Sequence, residues 1–180
     1  ISSPADGATF VEGTQVTFQG SASDPDQGQL GGSALSWESD LDGDLGTGVT
    51  VNRSDLTVGD HVVTLTATDD EGATDDATVS VTVEENQEPS ATIASPSSGD
   101  TFGEGAPVEL RGSGDDPEDG ELTGSSLEWE SDLDASLGAD TLVTVSDLSV
   151  GDHLLTLTAT DAQGAAGTDT ATITVEAPPR

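Results

Sequence analysis

Apolar residues recur at every second position in short runs along this chain. Between Thr14 and Gly20, Val16 and Phe18 alternate with polar neighbours, and Leu35 and Trp37 alternate with Ser36 and Glu38. The clearest run spans His61 to Thr68, where Val63, Leu65 and Ala67 interleave with Thr64, Thr66 and Thr68. Val79, Val81 and Val83 form a last run of the same kind. A period of two puts successive side chains on opposite faces of an extended strand, so these runs predict strands with one buried face. Their Thr and Val content suits a pleated surface. Gly, Asp and Pro clusters (Asp6-Gly7, Asp24-Pro25, Asp42-Gly43, Gly59-Asp60) separate them as turns. No window carries a helical period.

The whole pattern occurs twice. A gapless shift of 92 residues superposes Ile1 on Ile93, Thr9-Phe10 on Thr101-Phe102, Trp37-Glu38-Ser39-Asp40 on Trp129-Glu130-Ser131-Asp132, and Val58-Gly59-Asp60-His61 on Val150-Gly151-Asp152-His153. The apolar positions repeat as Val108/Leu110, Leu127/Trp129, Leu155/Leu157/Ala159 and Ala171/Ile173/Val175. A period of about 90 residues is too long for one solenoid turn and suits one small sandwich domain. Each copy holds about seven short strands with a single Trp on the third, an immunoglobulin-like pattern. The expectation is therefore an all-β chain of two tandem immunoglobulin-like antiparallel β-sandwiches, residues 1–85 and 86–180. The short polar linker at about 84–89 joins them end to end with a limited hinge.

Charge narrows the function. Asp and Glu number 36 against three Arg (Arg53, Arg111, Arg180) and no Lys, for a formal net charge of −33. Such a surface repels nucleic acid and anionic membranes, because phosphate binding needs basic side chains to displace counterions. It also repels itself, which calls for divalent cations, salt or both. The periodic strands argue against the disorder that high acidity otherwise suggests. Cysteine is absent, so neither disulfides nor thiolate chemistry is available. No apolar stretch reaches the roughly 20 residues of a membrane span, so direct insertion is not expected. The start at Ile1, without a leader pattern, reads as a segment of a larger secreted protein, extracellular or on a bacterial cell surface.

Three motifs carry a family likeness: Ser23-Asp24-Pro25-Asp26-Gln27-Gly28, Leu35-Ser36-Trp37, and Val58-Gly59-Asp60-His61 leading to Leu65-Thr66-Ala67-Thr68-Asp69-Asp70-Glu71-Gly72. With them the chain resembles the polycystic-kidney-disease (PKD) domain and its bacterial immunoglobulin-like relatives, over nearly its whole length. It departs from that family where His61 and His153 replace a Tyr, and where Glu38-Ser39-Asp40-Leu41 follows the Trp. The resemblance implies a PKD-like sandwich and a Ca²⁺ site near the strand that opens each domain. In the second copy the implied ligands are Asp116, Glu118 and Asp161 with Asn86 and Gln87 of the linker. In the first they are Asp24, Asp26 and Asp69, and the counterpart of Asn86 would precede Ile1, leaving that set incomplete. Hard carboxylate, amide and carbonyl oxygens are what Ca²⁺ takes. The same acids also serve as turn formers and solvated surface charge. Their identical spacing in both copies favours a site.

Other chemistry is weaker. Asp40-Leu41-Asp42-Gly43-Asp44 imitates the start of an EF-hand loop, but Val51 stands where that loop needs its bidentate Glu, so a tight turn is expected. His61 and His153 occupy the place of a corner Tyr that bonds back to the chain, and no repeated Ser is expected to form a triad with them. Two Trp, three Phe and no Tyr leave little aromatic surface for sugar. Asn52-Arg53-Ser54 is an incidental sequon. The expected role is a non-catalytic extracellular spacer, presentation or adhesion module stiffened by calcium. Its partners would be neighbouring domains of the same protein or like subunits, with a polysaccharide or protein ligand left open. Two alternatives are a subunit of an extracellular filament or surface layer, with Ile1 and Ala177-Pro178-Pro179-Arg180 as contact points, and a substrate-engaging accessory domain of a secreted hydrolase.

Overall fold

Among the described residues the alternation reappears as nine strands in each half of the chain. The computed structural model describes residues 1–179; Arg180, at the end of the C-terminal stub, lies outside the described residues. Two compact units divide the chain, Ile1–Asn86 and Gln87 onward.

The first unit holds β1 (Ala8–Val11), β2 (Val16–Gln19), β3 (Ala22–Asp24), β4 (Gly28–Leu30), β5 (Leu35–Ser39), β6 (Gly43–Thr47), β7 (Thr50–Arg53), β8 (Gly59–Thr68) and β9 (Thr74–Glu84). Its main sheet runs β1-β9-β8-β5-β6, while β2 pairs with β7 and β3 with β4. The second unit holds β10 (Ser90–Ser95), β11 (Asp100–Gly103), β12 (Val108–Asp116), β13 (Gly120–Leu122), β14 (Leu127–Ser131), β15 (Ala135–Ala139), β16 (Leu142–Val145), β17 (Gly151–Thr160) and β18 (Ala166–Glu176). Its main sheet runs β11-β18-β17-β14-β15, and β10-β12-β13 with β16 beside β12 makes the other. Pairing is antiparallel throughout except β1 with β9 and β11 with β18. Those short strands reach the edge of the main sheet alongside its last strand, which the alternation could not foretell.

The buried faces are the ones the period of two selects. Val16, Phe18, Leu35, Trp37, Val63, Leu65, Val79, Val81 and Val83 meet in one core, drawn from both layers. Val108, Leu110, Leu127, Trp129, Leu155, Leu157, Ile173 and Val175 repeat it in the second. Both Trp side chains are fully buried. Each indole N–H is satisfied, Trp37 Nε1 by Gly48 O at 2.9 Å and Trp129 Nε1 by Asp140 O at 3.0 Å. Gly112 lies where a Cβ would come within 2.4 Å of Leu157 and 2.9 Å of the Trp129 ring, so that backbone can cross the indole only as glycine.

Asp40, Leu41 and Asp42 form the expected tight turn between β5 and β6. The two His side chains, each 1% exposed, tie that turn to the next strand. Nε2 of His153 faces Ser149 O at 2.7 Å, so it carries the proton, and Nδ1 meets the Ser131 hydroxyl at 2.8 Å. His61 repeats this with Thr57 O at 2.6 Å and Ser39 Oγ at 2.8 Å. The bond back to the chain is the one expected of a corner residue. A repeated Ser accompanies each His. It makes no triad: Nε2, the nitrogen that a triad Asp would hold, donates to a carbonyl, and the Asp134 carboxylate lies 3.6 Å from Nδ1, on the same side of the ring as the Ser. Ser131 is itself buried and accepts the Leu133 N–H, so its hydroxyl holds the turn.

Two expectations follow. His153→Phe keeps an aromatic ring, somewhat larger, but leaves Ser149 O without its donor and the Ser131 O–H without its acceptor. Chemical denaturation should show a loss of about 2–6 kcal/mol at roughly 1–3 kcal/mol per buried unsatisfied group. Asp134 titrates below the ordinary aspartate range, chiefly because the Ser149 hydroxyl and then the Ser149 N–H donate to it. A carboxyl lowered by folding contributes stability above its unfolded value and loses it as pH falls through the folded one. The wild-type advantage over Asp134→Asn in urea unfolding should therefore be full at neutral pH and vanish in acid below the ordinary aspartate range.

Candidate metal centre

β12 ends at Asp116, and the chain turns through Pro117, Glu118 and Asp119 into β13. An Asp at that point forms its own turn: Asp116 Oδ1 accepts the N–H of Glu118 at 2.9 Å and of Asp119 at 2.7 Å. The other oxygen, Oδ2, is buried and accepts no hydrogen bond. Glu118 divides likewise. Its Oε1 accepts from Gln87 Nε2 at 2.7 Å, and its Oε2 is buried without a donor. Asp116 as a residue is 5% exposed.

Asp161 opens the loop between β17 and β18. Its Oδ1 accepts the N–H groups of Gln163, Gly164 and Ala165, which closes that loop into a nest of donors around one carboxylate oxygen. Asp119 Oδ2 accepts the Ala162 N–H at 2.9 Å and so holds the 117–119 turn beside the 161–165 loop. Gln163 Oε1 and Asn86 Oδ1 are buried oxygens as well. Thus Asp116, Glu118 and Asp161, implied by the family resemblance, lie on two loops that the Ala162–Asp119 bond fastens together, and Gln87 reaches Glu118 from the linker. Asp119 and Gln163 were not foreseen. Asp119 sat in the matched run opposite Gln27, a residue that cannot act as a carboxylate, and nothing in that spacing marked it.

A buried carboxylate oxygen without a donor costs free energy, and more so where no cation is near. Both arginines among the described residues are engaged elsewhere, Arg53 with Asp55 at 2.7 Å and Arg111 with Glu109 at 2.9 Å. Asp116 Oδ2 and Glu118 Oε2 are hard anionic donors of the kind Ca²⁺ takes, so the residues present fit that ion. Among the described residues, no three His, Cys, Asp or Glu side chains are gathered closely enough to hold a metal. A centre here would therefore combine two carboxylates with amide and carbonyl oxygens rather than use three acids.

The first unit differs. Asp24 Oδ1 accepts the N–H groups of Asp26 and Gln27 at 2.8 and 2.9 Å, and Asp69 Oδ1 those of Glu71 and Ala73 at 2.9 and 2.8 Å. Both side chains are half-exposed, Asp26 is exposed, and none of the three carries a buried oxygen lacking a donor.

No family model matches the chain, and no curated protein matches it. Among solved structures, the fibronectin(III)-like modules of Clostridium thermocellum CbhA align over 97% of this chain and 92% of theirs, at 18% identity and a TM-score of 0.51. A Ca²⁺-stabilized adhesin with which an Antarctic bacterium binds ice aligns over 94% of this chain and 46% of its own, at 19% identity and a TM-score of 0.46. A chimeric titin Z1Z2 aligns over 98% and 95%, at 16% identity and a TM-score of 0.41. At these identities the likeness is one of fold, carried by the CbhA modules: the chain is all-β and immunoglobulin- and fibronectin(III)-like.

Proposed function

We propose that this chain is a non-catalytic extracellular repeat module of a bacterial secreted or surface protein, a spacer that presents or adheres, and that calcium stiffens its second unit. The supporting observation is the pair of buried acceptors, Asp116 Oδ2 and Glu118 Oε2, in a unit where Asp134, Asp140 and Asp161 are supplied with backbone donors. Asp116, Glu118 and the Asp161 loop would hold the ion, with Gln87 orienting Glu118 and Asn86 retained from the family resemblance. Bound Ca²⁺ would supply the positive charge that this sequence lacks. The buried, committed hydroxyls of Ser39 and Ser131 favour a structural role over a catalytic one.

The test is thermal unfolding at fixed ionic strength, in EDTA and in 10 mM Ca²⁺. For a dissociation constant of about 1 mM, typical of extracellular modules, 10 mM Ca²⁺ stabilises the folded unit by about 1.4 kcal/mol, or roughly 6–11 °C at this domain size. Asp116→Asn should cross over: no less stable than wild type in EDTA, because a buried charge is gone, and less stable in Ca²⁺. Asp24→Asn should leave the calcium shift unchanged. A shift of equal size in wild type and Asp116→Asn would reduce the effect to charge screening and overturn the proposal.

A further inference from the structure

The 92-residue offset lets each unit serve as the other's control, and at one recess they differ. In the first unit Arg53 ends β7, opposite Val16 of β2. Its guanidinium forks onto the Asp55 carboxylate, Nε donating to Oδ1 at 2.7 Å and Nη2 to Oδ2 at 2.8 Å. Nη1 donates to Leu45 O at 3.2 Å. Leu45 is the bulged residue of β6, between the Trp37–Gly46 and Glu38–Asp44 pairs. Asp42 and Asp44 stand close enough to act on the same charge. The Arg53 side chain is 28% exposed, so its methylene stem is packed along the domain as well.

The second unit keeps the receptor and lacks the arginine. Asp147 matches Asp55, Asp134 matches Asp42, and Leu148 matches Leu56. Leu137 matches Leu45 and stands in the same bulge, between the Trp129–Gly138 and Glu130–Ser136 pairs. In the place of Arg53 is Val145, opposite Val108. Around its shorter side chain lies a recess of about 300 Å³, lined by Asp134, Ser136, Leu137, Val145, Asp147 and Leu148. No hydrogen bond or ion pair among the described residues engages the Asp147 carboxylate.

A lone exposed carboxylate attracts any cation weakly, and one surface ion pair contributes little. What distinguishes this recess is the shape of the group that fills its counterpart. A guanidinium is planar: two parallel N–H groups meet a carboxylate while a further N–H reaches a neighbouring acceptor. An ammonium is a point charge without that fork. Leu137, Val145 and Leu148 supply the apolar wall that an alkyl stem covers. Carboxylate, carbonyl and wall together fit an arginine side chain.

We propose that the recess of the second unit binds an arginine side chain of a partner protein, its fork on Asp147 and its remaining N–H on Leu137 O. The first unit satisfies the same receptor with its own Arg53, so the tandem presents one such site and not two. Asp134, already held by Ser149, contributes charge rather than a bond. The probe is acetyl-Gly-Arg-Gly-amide, compared with acetyl-Gly-Lys-Gly-amide, titrated into the isotope-labelled full chain at physiological salt. Backbone amide shifts of Ser136, Leu137 and Asp147 should move saturably with the Arg peptide, and with affinity at least about threefold lower for the Lys peptide. Those of Asp44, Leu45 and Asp55 should stay still. Asp147→Asn should abolish the response. So should Val145→Arg, which supplies from within the group that Arg53 supplies in the first unit. Arg53→Val should do the reverse and make Leu45 and Asp55 respond. The amide spectrum of each variant reports that it is folded. Equal affinity for the two peptides, a response that survives Asp147→Asn, or a first unit that stays silent without Arg53 overturns the proposal. None of these residues belongs to the candidate metal centre, so either result leaves the calcium reading untouched.

Discussion

A shortage of cations governs this structure. With 36 acidic residues and three arginines, almost no carboxylate can be neutralised by a basic side chain, and mutual repulsion works against the compact state. The folded chain answers with backbone N–H groups. Asp6 takes the N–H of Ser80, Asp40 that of Val62 and Asp132 that of Leu154, each tying a turn to a strand distant in sequence. Asp24, Asp69, Asp116 and Asp161 gather the N–H groups of their own turns. An acid that closes a turn or pins a strand performs two tasks: it satisfies a donor that would otherwise need water, and it spreads its charge over peptide dipoles.

That arrangement has a supply limit. A carboxylate has two oxygens, and a tight turn presents donors to only one. Where the second oxygen reaches water nothing more is needed, as at the half-exposed Asp24 and Asp69. Where burial removes water, as at Asp116 and Glu118, the second oxygen is left with neither. In the second unit that cover is β10. The acids stand in matching positions with matching turns, and it is β10, preceded by the buried Pro89, that accompanies the change from a solvated carboxylate to a desolvated one. The same strand separates the fully buried Ala159 from its half-exposed counterpart Ala67.

Much of the fold was legible in the sequence because burial in a sheet is a local property. Val63, Leu65 and Ala67 announce their face by alternation alone, and the 92-residue repeat confirmed each face by showing it twice. What stayed hidden depends on register between distant strands. Ser39 reaches His61 only because β5 and β8 pair with Trp37 opposite Leu65, and nothing near either residue encodes that meeting. The parallel placement of β1 beside β9 is hidden for the same reason. At the candidate centre, the carboxylates of the second unit were readable from a motif. The bond from Ala162 to Asp119 that fastens their loops was not, since it joins residues 43 positions apart through a backbone donor that has no sequence signature.

The repeat also shows which differences between copies carry meaning. Many exchanges, such as Val63 for Leu155 or Val81 for Ile173, keep an apolar side chain on a buried face and differ by one methylene. Asp75 against Gly167 is of another kind. It replaces the one residue that lets a backbone carbonyl approach by one that repels it electrostatically, at a position otherwise exposed and free of packing demands. Gly167 leaves room for the Pro89 carbonyl, so this exchange is felt in the backbone rather than in the core.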